Sequence, residues 1–209
     1  GATTLGCLVA SRHNPDDIYL LCDGSGLFAN GIEDGDEIIQ PASADCGKPD
    51  ADLVGHFSDF VLPSAESNQN LSAAIVSVQN PKEVSPQLPD GTFFGDDAFP
   101  EVGEKVSGFS RSEGKVQGEV LSTDATITIP WVFENGEQAE VEFTGLIETT
   151  PMMVSGDSGI VIFDETHQPV GLGFAGGADF SLFFPIGRIL DFFEVDVIKI
   201  GRASCRERV

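Results

Sequence analysis

Gly156-Asp157-Ser158-Gly159 stands between two runs that read as strands, Thr149-Thr150-Pro151-Met152-Met153-Val154-Ser155 before it and Ile160-Val161-Ile162 after it. The glycines permit a tight turn that a side chain would block. Such a turn presents the Ser158 hydroxyl. It also aims the backbone N–H groups of Gly156 and Ser158 at one point, an oxyanion hole for a tetrahedral intermediate. The four residues therefore suit an acyl-transfer nucleophile. Taken alone they also suit an ordinary turn, so the surrounding chain decides between the two.

That chain is a series of short β-rich runs punctuated by 24 glycines and 12 prolines. Strands are expected at Leu5 to Ala10, Ile18 to Cys22, Glu37 to Gln40, within Asp52 to Leu62, and at Ala73 to Val78. The stretch from Asn80 to Pro100 contains Pro81, Pro86, Pro89 and Pro100 and reads as a long connection. Beyond it, strands are expected at Lys105 to Phe109, Lys115 to Ile129, Ala139 to Ile147, Ile160 to Phe163, Pro169 to Phe174, Phe180 to Pro185 and Val195 to Ile200. Glu134-Asn135-Gly136-Glu137 supplies a hairpin turn. A single helix is expected over Ile186 to Phe193, where Ile186, Ile189, Leu190 and Phe193 recur at helical spacing. Many short strands and one late helix give an all-β chain of barrel or sandwich type. No internal repeat of solenoid length is present.

With these elements in order, the chain resembles the chymotrypsin-fold (trypsin-like) serine peptidases, in particular their bacterial domains. Thr4-Leu5-Gly6-Cys7-Leu8-Val9 looks like the family's first strand. Lys105-Val106-Ser107-Gly108-Phe109 and the following Gly114 to Val120 look like the entry to its second barrel, where a Val-Gly-Arg-Thr-Thr-Gly pattern is usual. Pro169 to Gly173 looks like the strand after the nucleophile, and Phe184 to Asp191 like the closing strand and helix. The resemblance spans about residues 4 to 198. It implies two packed six-stranded antiparallel β-barrels with a cleft between them and a short C-terminal helix. On this reading residues 1–85 form the first lobe, 86–103 the connection and 104–200 the second lobe. Residues 201–209, with Arg202, Arg206 and Arg208, differ in composition and read as a tail foreign to the domain.

The resemblance also says what the nucleophile needs: a base that takes the Ser158 proton and a carboxylate that orients the base. The family's histidine follows the second strand in a pattern such as Ser-Asn-Asn-His-Val-Leu-Ala. Here the matching stretch is Cys22-Asp23-Gly24-Ser25-Gly26-Leu27-Phe28-Ala29, which puts Ser25 at the histidine position. The family's aspartate precedes an Ala-Ala-Ile strand, and here that position falls on Ser72. The three histidines, His13, His56 and His167, sit in turns or on a strand away from the expected place. None of the five lysines maps beside the nucleophile. Loss of a triad base typically costs on the order of a millionfold in turnover. The expectation is a catalytically inactive, protease-like domain that binds a polypeptide or partner protein in the inter-barrel cleft. The alternative is an active serine endopeptidase using Ser158 with a nonstandard base. The resemblance further puts Met152 at the base of the specificity pocket and Gly173, Phe174 and Gly176 along its wall, so that an extended peptide could add a strand there. Met152 and Met153 read equally well as core residues.

The net charge of −23 argues against nucleic-acid binding, since phosphates would be repelled. The acids are scattered, as in Asp16-Asp17 and Asp96-Asp97, and read as solvated surface. No run approaches the ~20 apolar residues of a membrane span. The first residues show no basic region followed by an apolar run, which leaves the compartment open between a secreted protein and a part of a larger bacterial one. Cys7, Cys22, Cys46 and Cys205 include no C-x-x-C pair and no histidine at ligand spacing, so neither a metal nor another cofactor is expected. Cys7 and Cys22 lie on adjacent strands and could be bridged or free.

Overall fold

The computed structural model describes residues 3–28, 31–64, 66–67, 70–133 and 136–199. The first part of the chain forms β1 (Leu5–Ser11), β2 (Ile18–Cys22), a short helix α1 (Gly24–Phe28) and β3 (Glu37–Ile39). A single-turn helix α2 (Pro49–Asp52), β4 (Leu53–Val61) and β5 (Ala73–Val78) follow. After the proline-containing connection come β6 (Lys105–Ser110), β7 (Gly114–Val132), β8 (Gln138–Thr149), β9 (Val161–Phe163), β10 (Pro169–Gly176) and β11 (Ser181–Pro185). Helix α3 (Ile186–Phe193) and β12 (Val195–Val197) end the described chain.

These strands make two six-stranded antiparallel sheets. The second closes completely as a barrel in the order β10-β11-β8-β7-β6-β9. The first runs β12-β1-β2-β5-β4-β3, with β12 and β3 at its two ends. The closing strand does not stay with the second lobe: Val195–Val197 pairs with Val9, Ala10 and Ser11 of β1. Helix α3 causes this crossing. Its apolar stripe of Ile186, Ile189 and Leu190 is buried, and it stops at Glu194, whose left-handed φ of 52° turns the chain toward β1. Helix α3 has the bounds its periodicity predicts. The helices α1 and α2 are shorter than any periodic signal, and Pro49 opens the second of them at a position where a missing N–H costs nothing.

The phenylalanines explain how the two sheets hold together. The largest apolar cluster takes Cys7, Val9, Leu21 and Ile75 from the first sheet and Phe143, Phe163, Phe174 and Phe184 from the second. The ring centroids of Phe143 and Phe174 lie 4.6 Å apart, and those of Phe174 and Phe184 lie 4.8 Å apart. Each such side chain contributes roughly 1.5–3 kcal/mol on burial, so the seam between the lobes is a core rather than a wet interface. Cys7, in this core, and Cys22, in a separate apolar cluster with Leu8, Leu20 and Phe57, are buried free thiols. Burial pushes the Cys7 thiol up to about 12 and raises Cys22 as well, so neither ionises near neutral pH. Among the described residues no helix is long and apolar enough to cross a membrane. The expected turn residues Glu134 and Asn135 and the tail 201–209 lie outside the described residues.

Candidate active site

The Gly156-Asp157-Ser158-Gly159 turn sits where the two sheets meet and is tied down on three sides. Ser158 O accepts from Thr4 N at 3.0 Å and from Thr3 Oγ1 at 2.8 Å, which binds the turn to the start of the first sheet. Gly159 N donates to Gly173 O at 2.8 Å, and Gly173 N donates to Ile160 O at 2.7 Å, which binds it to β10. Asp157, 1% exposed, forms the third tie. Its Oδ1 accepts from Ser112 N at 3.2 Å and from Ser112 Oγ at 2.8 Å, and its Oδ2 accepts from Val154 N at 3.1 Å. Gly156 has φ +97° and Gly159 φ +95°, conformations that side-chain-bearing residues rarely adopt. A Cβ on Gly159 would also run into the Thr4 carbonyl oxygen. Glycine is therefore required at both positions. Among the described residues, neither the Gly156 nor the Ser158 amide N–H is spent in a hydrogen bond within the protein.

Ser25 and Ser72 are brought together, and Asp23 joins them. Ser25 N donates to Ser72 Oγ at 3.0 Å. Ser72 Oγ donates to Asp23 Oδ1 at 2.9 Å, and Ser25 Oγ donates to Asp23 Oδ2. Asp23 and Ser72 are both fully buried. The two hydroxyls are thus turned onto a carboxylate, which needs such donors to stay in the interior. Ser158 Oγ makes no hydrogen bond among the described residues, and no histidine reaches it. His13 pairs with Glu194 at 2.9 Å on the surface. His56 lies on β4 opposite Glu37 and Ser77. His167, in a turn at φ 63°, stacks on Phe163 at 5.3 Å.

Met152 and Met153 pack against different glycines. Both methionines are buried, and both amides donate to Ser181 Oγ at 3.0 Å. The Met152 sulfur lies against Gly118, 2.9 Å from where a Cβ would stand there. The Met153 side chain runs between Gly173 and Gly176, with Cε 2.8 Å from a Cβ built on the first and Cβ 2.6 Å from one built on the second. The Met153 side chain is thus packed against two glycines of β10. Met153→Ala should cost about 2–4 kcal/mol in a denaturant melt, because the walls cannot fully collapse. The cavity it leaves is apolar, so millimolar indole should raise the melting temperature of this variant and leave that of the parent unchanged.

One further residue stands beside the turn. Arg111 donates to Asp45 through Nε at 2.9 Å and Nη2 at 2.7 Å, a fork that bridges the two lobes. Its Nη1 lies 3.4 Å from where a Cβ on Gly156 would stand. Hydrogen bonding to Asp45 raises the guanidinium, with a smaller contribution from the charge of Asp157, and holds the Asp45 carboxyl below its ordinary value.

No family model matches the sequence, and no curated protein matches it. Solved structures do match its fold. It is similar to Thermobifida fusca protease A at TM-score 0.64 and 17% identity, covering 94% of this chain and 91% of that one. It is similar to Cellulomonas bogoriensis chymotrypsin at 0.59 and 16%, covering 95% and 91%. It is also similar, at 0.62 and 16% over 94% and 93%, to a glutamic acid specific serine protease whose substrate binding uses a histidine triad. With two six-stranded antiparallel sheets, a Gly-Asp-Ser-Gly turn at their junction and these likenesses, the chain has the chymotrypsin-like fold of bacterial serine proteases.

Proposed function

We infer that this is a serine-protease-fold domain without proteolytic activity, which holds a polypeptide or partner protein. One observation carries the reading: Ser25 and Ser72, which the resemblance puts at the positions of base and orienting acid, both commit their hydroxyls to the buried Asp23. A serine hydroxyl cannot take a proton from another at neutral pH, so Ser158 stays protonated and is a poor nucleophile. Met153 supports the same reading, since it packs against Gly173 and Gly176, which the resemblance puts along the wall of the specificity pocket.

The test is labelling by a fluorophosphonate probe, which reports an activated serine without needing a specificity pocket. The parent protein and Ser158→Ala should label equally, at background. Stoichiometric labelling that disappears in Ser158→Ala would return Ser158 to the active serine hydrolases and sink the inactive reading.

A further inference from the structure

The second sheet closes on itself and the first does not, although each has six strands. Strand β12 pairs with Val9, Ala10 and Ser11 of β1, Ile198 N adds a bond to Leu8 O, and among the described strands β3 pairs only with β4. The start of β1 and the outer side of β3 border the same cavity, of about 1060 Å³. Its lining includes every residue from Thr3 to Leu8 and every residue from Asp36 to Gln40. Successive side chains of a strand point to opposite faces, so an unbroken run of lining residues means that the backbone edge itself borders the space. The free edge of β3 therefore faces this opening, with Leu8, Leu20, Leu27 and Ile38 beneath it.

The rim of this groove is acidic. Asp36, Glu37 and Asp45 line it, and its single cation among the described residues, Arg111, is already held by Asp45. The geometry points to an extended segment of a partner protein, alternating apolar and Lys or Arg residues, that adds to the free edge of β3 and completes the first barrel. An inserted strand would place one set of side chains on the leucines and Ile38 and the other toward Asp36 and Glu37. Backbone hydrogen bonds supply the pairing, and the acidic rim supplies selection by charge and speeds the encounter. The inference rests on the binding role argued above, but it moves the ligand from the cleft beside Ser158 to the first lobe.

The probe is a fluorescein-labelled octapeptide alternating Val and Lys, followed by anisotropy. It should bind saturably to the intact protein. The same peptide with N-methyl groups on alternate residues keeps its charge but cannot pair, and a Val/Glu version reverses the charge; both should bind about tenfold more weakly or worse. The protein variant Asp36→Asn with Glu37→Lys, at two exposed positions, should weaken the Val/Lys peptide by about tenfold, more at low salt than at high. Val154→Trp, which crowds the surface next to Ser158, should leave it unchanged. Loss in Val154→Trp with no loss in the β3 variant overturns the proposal. So does equal binding of all three peptides, or no saturable peptide binding with uptake of dodecanoate in its place. Ser158-dependent fluorophosphonate labelling would remove the inactive reading and leave these binding results standing, so the two failures are distinguishable.

Discussion

The combined replacement Asp23→Asn, Ser25→His and Ser72→Asp is expected to make Ser158 label with a fluorophosphonate at least ~100-fold faster than in the parent protein. The nucleophile turn is held in place by Thr3, Thr4, Ser112 and Gly173, and none of these contacts involves the three altered positions. On the inactive reading the site lacks a proton acceptor, and a histidine at position 25 with a carboxylate at 72 would supply one. The change at Asp23 is necessary. An aspartate at 72 would stand where Ser72 now donates to Asp23 at 2.9 Å, inside a fully buried site. Two carboxylates so close cannot both ionise, so one would hold a proton and fail to orient the imidazole. Ser25→His with Ser72→Asp alone should therefore remain near background and lose stability, while the triple change should label. Cleavage of peptides should stay weak even in the triple variant, because Met153 still fills the space beside Gly173. Equal labelling of double and triple variants would show that Asp23 does not couple to this site.

The parts of this arrangement that were legible in the sequence are the local ones. Gly156-Asp157-Ser158-Gly159 announces its turn because two positive-φ positions demand glycine. Helix α3 announces itself through a stripe that must be buried. Ser25 and Ser72 each follow or precede a strand with a strong apolar signature, which is what let the resemblance single them out, and the fold brings them together at Asp23. The parts that could not be read depend on chain segments far apart in sequence. Arg111 meets Asp45 across the lobe boundary, and nothing near either residue specifies the other. Met153 was not separable from Met152, since adjacent residues share every local preference and differ only in which one meets Gly173 and Gly176. The crossing of β12 to β1 and the open edge of β3 follow from how far the first sheet curls, which is set by packing against the second. Asp23 was visible as an acid beside the lost histidine, but its role as the acceptor for both serines needed the fold.

Asp157→Ala is expected to cost about 3 kcal/mol, because hydrogen bonds to a charged acceptor are worth roughly 1.5–3 kcal/mol each and the exposed donors recover part of that from water. The melting temperature should fall by about 10 °C for a chain of this size. The carboxylate is almost fully buried and joins the turn Arg111-Ser112 to the backbone of Val154, so its loss frees both from Gly156. Asp157→Asn keeps an oxygen for Ser112 but turns an N–H₂ toward the Val154 amide, so it should lose about half as much. The contrast between backgrounds is the sharper result. In the parent protein Asp157→Ala should change stability and leave fluorophosphonate labelling at background. In the triple variant it should abolish the new labelling, because the oxyanion-binding amides of Gly156 and Ser158 lose their frame even with the histidine in place. Retained labelling in that background, at temperatures where the protein is folded, would mean that the ties from Thr3, Thr4 and Gly173 hold the turn without Asp157.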